Sequence, residues 1–208
     1  EHCGENRVYR LMHAAGLRAQ VGYRRPRHRS GLAHVVVPNR LQRQFSTATP
    51  DTAWVTDITY IRTHEGWLYL AVVLDLFSRR VIGWSMQSRM QMDLVLSALL
   101  MAVWRRKRKQ TVIVHSDQGS QFTGIEWLRE VERLGIRASM DGKGRWMDNV
   151  LIERLWRSVK HEWVLLHEYN TLPELNGLLE EWIERYNTWR PHTANNGQTP
   201  WQAYRGVP

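Results

Sequence analysis

The sequence predicts an α/β domain in which helices flank a five-stranded mixed sheet, preceded by a basic N-terminal helical remnant. Three observations support this fold class: three strand-like segments joined by short turns, two later short apolar runs, and helix-period segments around those runs. The chain has 208 residues, 43% of them hydrophobic, so it is long enough to enclose a complete core.

The first three strands are expected to form an antiparallel meander. Their segments are AWVTDITYIR at 53–62, WLYLAVVLDLF at 67–77 and VIGWSMQ at 81–87, and only short turns separate them. A buried strand is predicted for TVIVHS at 111–116, and a short fifth strand for IRASM at 136–140.

Helices alternate with the two later strands and follow them. The predicted helices are QMDLVLSALLMAVWR at 91–105, GIEWLREVERLG at 124–135 and DNVLIERLWRSVKHEWVLL at 148–166, the last capped by Asp148 or Asn149. With one more helix at the end, the order of elements is βββαβαβα. This order is the pattern of a ribonuclease H-like domain.

Composition divides the chain into four regions. Residues 1–17 contain a helix at about 5–15, and residues 18–50 mix Arg, Gly, Pro and Ser without a lasting period, as a basic linker does. The core is expected at 51–170. Residues 171–208 are expected to hold a helix over about 172–188 and an irregular tail, both packed on the core.

The net charge of +9 is concentrated at the start of the chain. Residues 1–43 carry nine Arg and two Glu, whereas the remainder is nearly neutral. Such a basic arm is typical of a segment that follows nucleic-acid phosphates. A solvated lead-in is an equally good interpretation of the charge alone.

Several protein classes are excluded. No run of about 18 apolar residues occurs, so no membrane span is expected. The single Cys3 excludes an internal disulfide and a Cys-rich zinc module, and it fits a reducing cytosol. Neither HExxH nor GxSxG occurs, which disfavours a zinc enzyme and a serine hydrolase. The start, EHCGENRVYR, has no signal-peptide pattern and no Met, so the natural protein is expected to be longer.

Three acidic residues are the strongest candidates for a site. Asp57 lies mid-strand, where a carboxylate is costly unless it is paired or bound to metal; the alternative is a salt-bridged core residue. Asp117 ends a buried strand and enters DQGSQF, where ligands gather; the alternative is an Asx turn. Glu153 is four residues into a helix and, taken alone, is an ordinary exposed glutamate.

The order and spacing of the three acids are more specific than any one of them. Between Asp57 and Asp117 lie 59 residues, and between Asp117 and Glu153 lie 35. Two strand aspartates and a helix glutamate can hold a pair of Mg²⁺ ions at a phosphodiester. Trp156 and Lys160 share the helix face of Glu153, which brings a cation to the same place.

Other polar and aromatic residues receive less specific predictions. Asp75 is expected to be structural and paired with Arg79 or Arg80, although it could also reach the site. RRKRK at 105–109 is predicted to be a solvated turn, with a DNA-backbone patch as the alternative. Three tryptophans are expected in the core and two near DNA: Trp54, Trp67 and Trp84, then Trp146 and Trp156.

The motifs WVTDITYI, HSDQGSQF and ERLWRSVKHE resemble those of DDE transposases of the insertion-sequence-three type (the OrfB product), whose catalytic core is shared by retroviral integrases. The resemblance covers about residues 50–205 and includes YNTWRPH and GQTPWQAY near the end. It implies that Asp57, Asp117 and Glu153 bind metal and that Lys160 approaches a DNA terminus. Residues 1–17 resemble the end of the helix-turn-helix region that precedes this core.

The resemblance also implies an activity and its partners. It implies DNA cleavage and strand transfer with two Mg²⁺ ions, for which Mn²⁺ can substitute. The DNA partners would be element ends and target DNA. The protein would act as a homo-oligomer in the bacterial cytoplasm, at the nucleoid, and without a membrane. The expected DNA contacts are Lys160, Arg157, Trp156, Lys143 and Arg145. Support of the acids is expected from their neighbours His115, Ser116 and Gln118.

Two other functions are weighed against this one. A DNA-binding or assembly module of a transposase with decayed chemistry is disfavoured by the intact acidic triad. An RNA-cleaving ribonuclease H relative is disfavoured by the basic lead-in and by the C-terminal motifs. Asp57 and Asp117 are expected to be preformed, whereas Glu153, behind the loop DGKGRW at 141–146, is expected to be placed when substrate binds.

Overall fold

A computed structural model describes residues 3–17, 37–106, 110–141 and 150–206. The chain divides into two compact units, residues 1–33 and residues 34–208. In the first unit, helix α1 (Glu5–Ala14) confirms the helix predicted near the start, and Gly16 follows it in the left-handed conformation, with φ 69°.

The second unit contains the sheet and, among its described residues, five α-helices. The strands are β1 (Ala53–Thr63), β2 (Gly66–Asp75), β3 (Val81–Gln87), β4 (Ile113–Ser116) and β5 (Arg137–Met140). The helices are α2 (Met92–Arg105), α3 (Ile125–Arg133), α4 (Val150–Glu162), α5 (Leu172–Thr188) and α6 (Pro200–Arg205), with 3-10 turns at Val164–Leu166 and Thr193–Asn195. None of the helices in the described ranges is long and apolar enough to cross a bilayer.

The five strands form one mixed sheet in the order β3-β2-β1-β4-β5. The meander β1–β2–β3 is antiparallel, and β4 and β5 run parallel to β1. This confirms the predicted five-stranded mixed sheet. In the parallel pair, Ala53 lies opposite Ile113 and Val55 opposite His115. Extending that register by two residues brings Asp57 level with Asp117, just past the end of β4.

Each face of the sheet has its own apolar core. Successive side chains of a strand point to opposite faces, so Val55 packs toward α4 and α5, and Trp54 packs toward α2 and α3. The α4 residues Ile152 and Val159 are fully buried in the first core. The sheet is therefore the middle of three layers, and Asp57 points to the same face as Val55.

The end of the chain is more ordered than the sequence suggested. Helix α6 was predicted as irregular tail, but Thr199 caps it: its hydroxyl accepts from the backbone N–H of Gln202, and the Gln202 side chain accepts from the Thr199 N–H. Pro200 occupies the first turn, where no backbone donor is needed. The helix was not predicted because six residues are too few to show a periodic pattern of apolar residues.

The predictions for three tryptophans have different outcomes. Trp54 is fully buried, as expected, and Trp84 is partly buried against the core, with the Arg105 guanidinium 4.3 Å from its ring centroid. For Trp67 the prediction is wrong, because its side chain is 44% exposed and meets the Tyr60 ring edge-on. It lies at the β1–β2 hairpin end of the sheet, where it pairs with Arg62.

Asp75 is structural, as predicted, but its partners are different. Its carboxylate accepts hydrogen bonds from the backbone N–H of Asp51 (3.0 Å) and from the N–H (2.8 Å) and hydroxyl (2.7 Å) of Ser78. The Arg79 guanidinium donates instead to the carbonyl of Phe45. Arg80, the other predicted partner, stacks on the rings of Trp201 and Tyr204. Because Asp75 is buried at a strand end, nearby backbone donors satisfy it first.

Two glycines give a matched test of this packing. A Cβ at Gly83 in β3 would lie 2.1 Å from the Ala98 carbonyl of α2, so Gly83→Ala should lower the free energy of unfolding by about 2 kcal/mol or more. Gly177 in α5 has open space, so Gly177→Ala should raise it by about 0.5–1 kcal/mol. Chemical denaturation measures both, and equal stability of the two variants would contradict the close contact of α2 with β3.

Candidate active site

Asp57 lies in the middle of β1, and two hydrogen bonds hold its carboxylate. The backbone N–H of Ile58 donates to Oδ1 at 2.8 Å. The indole N–H of Trp156, from α4, donates to Oδ2 at 2.8 Å. One carboxylate oxygen is thus tied to its own strand and the other to a helix 99 residues later in sequence.

The environment of Asp57 disfavours its charged form. Burial raises the pKa of Asp57 to about 6, because removal from water penalises the carboxylate. The hydrogen bonds from Trp156 and Ile58 lower that pKa, and the negative charges of Asp117 and Glu153 raise it. Both of the other predicted acids therefore lie close enough to Asp57 to influence its charge.

Asp117 follows β4 directly and turns its carboxylate back onto its own loop. The backbone N–H of Gly119 donates to Oδ1 at 2.9 Å, which is the Asx turn weighed as an alternative. A Cβ at Gly119 would lie 2.9 Å from this oxygen, so a larger residue there would push the Asp117 carboxylate away. Burial raises the pKa of Asp117, the Gly119 bond opposes the rise, and the charge of Asp141 adds to it.

Helix α4 presents three functional side chains along one face. Glu153 is exposed in its first turn, Trp156 is one turn further, and Lys160 is one turn beyond that. Lys160 lies with its Nζ 5.2 Å from the centroid of the Tyr60 ring. Burial lowers the pKa of Lys160, and the negative charge of Asp57 opposes that effect. An acid, a neutral donor and a cation thus lie along the same face of one helix.

A buried polar network lies beside Asp117. The Nδ1 of His115 is 2.9 Å from the Ser139 hydroxyl, and its Nε2 is 2.5 Å from Oδ1 of Asp141. The Ser139 hydroxyl also accepts from the backbone N–H groups of Arg40 (2.9 Å) and Leu41 (3.3 Å). Residues before the sheet, in β4 and at the end of β5 are therefore joined through one hydroxyl.

Counting donors assigns the His115 tautomer. A serine hydroxyl has two acceptor lone pairs, and both are used by Arg40 and Leu41, so its proton goes to Nδ1 of His115. The imidazole then carries its proton on Nε2 and donates it to Asp141. The network thereby holds Asp141 against the strand that leads to Asp117.

Two other residues predicted to support the acids contact the same region. The Ser116 hydroxyl donates to the backbone carbonyl of Asp117 at 3.1 Å. The Gln118 side-chain amide donates to the carbonyl of Asp141 at 2.6 Å. Both contacts brace the backbone around Asp117, whereas the bonds of His115 go to β5 and to Asp141.

The residues predicted to contact DNA are placed differently from one another. Arg157 is exposed on α4, and Lys160 is half-buried near Asp57. Trp156 requires a correction: it is only 9% exposed, so its ring is not available as a stacking platform, and its N–H serves Asp57 instead. The remaining candidates, Lys143, Arg145 and Trp146, lie outside the described residues, as do the proposed caps Asp148 and Asn149.

Sequence reasoning missed Ser139 and Asp141. Asp141 follows β5 as Asp117 follows β4, and this repeated strand-end aspartate was the available signal. Ser139 had no signal, because its role depends on backbone groups 98 and 99 residues away in sequence.

The chemistry of the acids suits a hard divalent cation. Carboxylate oxygens are the ligands that Mg²⁺ and Mn²⁺ prefer, and a desolvated carboxylate gains most from a cation beside it. Within the described ranges, however, no three His, Cys, Asp or Glu side chains converge into a group that could hold an ion. The charges of Asp117 and Glu153 raise the pKa of Asp57, but the three carboxylates do not form such a group.

Comparison with known proteins identifies the family. Residues 47–145 match the integrase core domain, and residues 134–200 match a second integrase core domain family. The transposase InsF for insertion sequence IS3A of Escherichia coli (strain K12) is 43% identical over 168 residues, which are 80% of this chain and 58% of that protein. The transposase for insertion sequence element IS904 of Lactococcus lactis subsp. lactis (strain IL1403) is 38% identical over 197 residues, 93% of this chain and 78% of that protein. The chain belongs to the insertion-sequence-three family of DDE transposases. It spans 58% of the length of the Escherichia coli relative.

Solved structures agree with the predicted fold. A chain of the simian T-cell lymphotropic virus intasome in complex with PP2A regulatory subunit B56 gamma has a TM-score of 0.68 at 19% identity, covering 84% of this chain and 61% of that one. The HTLV-2 integrase catalytic core domain in complex with magnesium has a TM-score of 0.62 at 20% identity, covering 76% and 99%. The ribonuclease H-like prediction is therefore confirmed for this transposase-family chain.

The cost of burying Asp57 can be measured through its pH dependence. The pKa of Asp57 is raised from 3.8 to about 6, so the folded state binds its proton more tightly than the unfolded state. The penalty is absent below about pH 4, grows as the pH rises toward 6, and is complete above it. Relative to the parent, Asp57→Asn should therefore gain about 2 kcal/mol of stability between pH 4 and pH 7.5, because only the parent carboxylate becomes charged over that range.

Urea denaturation at both pH values measures this difference. Glu168→Gln, which neutralises an exposed carboxylate, serves as the matched control and should show no such pH-dependent gain. If the stability of Asp57→Asn relative to the parent does not rise between pH 4 and pH 7.5, the carboxylate is not desolvated.

Proposed function

We propose that this protein is a transposase that cleaves DNA strands and joins them to new sites in a reaction dependent on divalent metal. The observation that carries the proposal is Asp57: a desolvated mid-strand carboxylate whose pKa responds to both Asp117 and Glu153. A desolvated acid near two further acids is costly without a cation, and perturbed acids of this kind cluster at catalytic sites.

Asp57, Asp117 and Glu153 would hold two Mg²⁺ ions, with Mn²⁺ as a substitute. When bound, such ions neutralise charge at a phosphodiester and activate a water or a 3′-hydroxyl for in-line attack. Mg²⁺ is also present in the HTLV-2 integrase core, which supports the choice of metal. Asp57 would remain able to bind a cation, because each of its oxygens keeps a lone pair beside its one hydrogen bond.

The chain's own residues supply position and charge. Lys160, on the helix face of Glu153, would bind a phosphate next to the scissile bond. Asp117 and its Gly119 turn would present a carboxylate at the level of Asp57. The proposed reaction needs no covalent enzyme intermediate, because a water or a DNA 3′-hydroxyl attacks the phosphodiester directly.

The partners we propose are the ends of a mobile element, a target DNA and further copies of the same chain. The family relatives are transposases for insertion sequences, and one structural neighbour belongs to a viral intasome. The nine arginines among residues 1–43 would follow the DNA backbone. The bacterial nucleoid is the proposed place of action.

Neutralising each acid should separate chemistry from DNA binding. Asp57→Asn, Asp117→Asn and Glu153→Gln should each reduce cleavage and strand transfer of labelled element ends into a plasmid by at least about 10³-fold, because metal ligands stabilise the transition state directly. DNA affinity in gel-shift assays should change by less than about threefold, since no basic side chain is removed.

Glu132→Gln, which neutralises an exposed residue of α3, is the control and should keep full activity. Full activity of Asp57→Asn with Mg²⁺ would refute the assignment of the site. DNA binding without any strand transfer by the parent chain would instead support a decayed binding module, and hybrid-specific RNA degradation would support a ribonuclease.

Lys160 provides a separate test of the DNA contact. Loss of one phosphate contact should reduce the slope of log affinity against log salt concentration by about 1, so Lys160→Ala should bind element ends more weakly at low salt. Lys160→Arg keeps the charge and should keep the slope. Fluorescence anisotropy across a salt series measures this, and an unchanged slope in Lys160→Ala would remove Lys160 from the interface.

A further inference from the structure

We propose that Trp156 is a positioning residue of the active site: its indole N–H orients the Asp57 carboxylate and ties the helix that carries Glu153 to the central strand. The contact is the 2.8 Å hydrogen bond from Nε1 of Trp156 to Oδ2 of Asp57. The metal part of this inference rests on the proposed function. The contact itself does not, and the two can be tested separately.

The chemistry of tryptophan suits the task of holding a metal ligand. The indole N–H is a donor only: it cannot coordinate a cation, and it has no charge to lose or gain near neutral pH. It therefore fixes the carboxylate while leaving the negative charge available to a metal ion. A lysine or arginine at this place would neutralise Asp57 and compete with the ion.

The lone pairs of Asp57 leave room for two ions. Each carboxylate oxygen has two lone pairs, and one donor is present on each: Ile58 on Oδ1 and Trp156 on Oδ2. One lone pair on each oxygen remains. With both oxygens held, the carboxylate cannot turn about its terminal bond, so the remaining pairs keep a fixed direction.

Packing makes the donor rigid. Trp156 is 9% exposed and belongs to the apolar core between the sheet and α4, together with Leu155 and Val159. A hydrogen bond to a charged acceptor is stronger when water is excluded from it. The ring is thus held by apolar contacts and aims its one polar group at Asp57.

Helix geometry extends the effect to Glu153 and Lys160. These residues lie three before and four after Trp156, so the three share one helix face. Fixing the Trp156 side chain to β1 sets the rotation of α4 about its axis. That rotation decides whether Glu153 and Lys160 face the sheet or the solvent. Trp156 accordingly acts through Asp57 and through α4, and does not itself touch the reacting atoms.

A first experiment tests the contact without metal, DNA or activity. The indole ¹H–¹⁵N signals of the full chain can be assigned by their loss in Trp156→Phe and Trp163→Phe. Trp163 is the matched control because its indole N–H donates to a backbone carbonyl, that of Leu178, also at 2.8 Å. Asp57→Asn should shift the Trp156 signal and leave the Trp163 signal in place. An unmoved Trp156 signal overturns the inference.

A second experiment measures Mn²⁺ affinity by calorimetry on the same proteins. Removal of a group that orients a metal ligand typically weakens metal binding by about 10–100-fold, so Trp156→Phe should lose at least about tenfold. Trp163→Phe should bind Mn²⁺ as the parent does, and thermal unfolding confirms that both variants are folded.

The outcomes separate the two proposals. Mn²⁺ binding that is lost in Asp57→Asn but unchanged in folded Trp156→Phe overturns the positioning role and leaves the proposed function standing. A parent protein without Asp57-dependent Mn²⁺ binding counts against the proposed function and against the metal part of the positioning role, whereas the indole signal alone decides the contact of Trp156 with Asp57. A tenfold loss in Trp156→Phe, together with the indole shift, supports both.

Discussion

The burial of the Asp57 carboxylate in the middle of β1 is the constraint on which the rest of the site depends. The side chain is half-buried, and its partial removal from water raises the pKa of Asp57 to about 6. Two hydrogen bonds reduce the cost without removing the charge. One of them comes from Trp156 in α4. The same hydrogen bond therefore stabilises the Asp57 carboxylate and attaches the helix that carries Glu153 and Lys160 to β1. The desolvation of Asp57 therefore lowers the stability of the fold, but it keeps a negative charge at a position where a cation can bind.

The second aspartate is supported in a different way, through backbone positions. Asp117 lies at the end of β4, where the ladder has stopped, and its own turn closes on Gly119. Beside it, His115 connects Ser139 in β5 with Asp141, and Ser139 reaches back to the backbone of Arg40 and Leu41. Segments that are distant in sequence therefore meet next to this strand end. Because every donor and acceptor of the Ser139 hydroxyl is used, the arrangement is specific and cannot shift by small steps.

The elements that follow from local pattern were predictable, and those that follow from tertiary contact were not. The strand and helix segments could be read from periodicity, whereas the parallel pairing of β1 with β4, which brings Asp57 level with Asp117, could not. Helix α6 was missed because six residues are too few for a periodic signal, although its Thr199–Gln202 capping box was in the sequence. Trp67 was misplaced because apolar character does not tell which end of a long hairpin is covered. Trp156 was assigned to DNA because its neighbours on the helix face suggested a surface, whereas its partner is a carboxylate buried on another strand.

The position of Trp156 also changes how the site would be completed on the proposed function. With Glu153 following residues 142–149 in sequence, the whole of α4 could be expected to dock only with substrate. Yet Trp156, one turn after Glu153, is already bonded to β1, and Ile152 and Val159 are already buried in the core. One helical turn is about 5.4 Å, which is within the reach of a glutamate side chain and a slight adjustment of the first turn. On the proposed function, bringing Glu153 to the other two acids would therefore involve only the start of the helix, because Trp156, Ile152 and Val159 are already in place on the sheet.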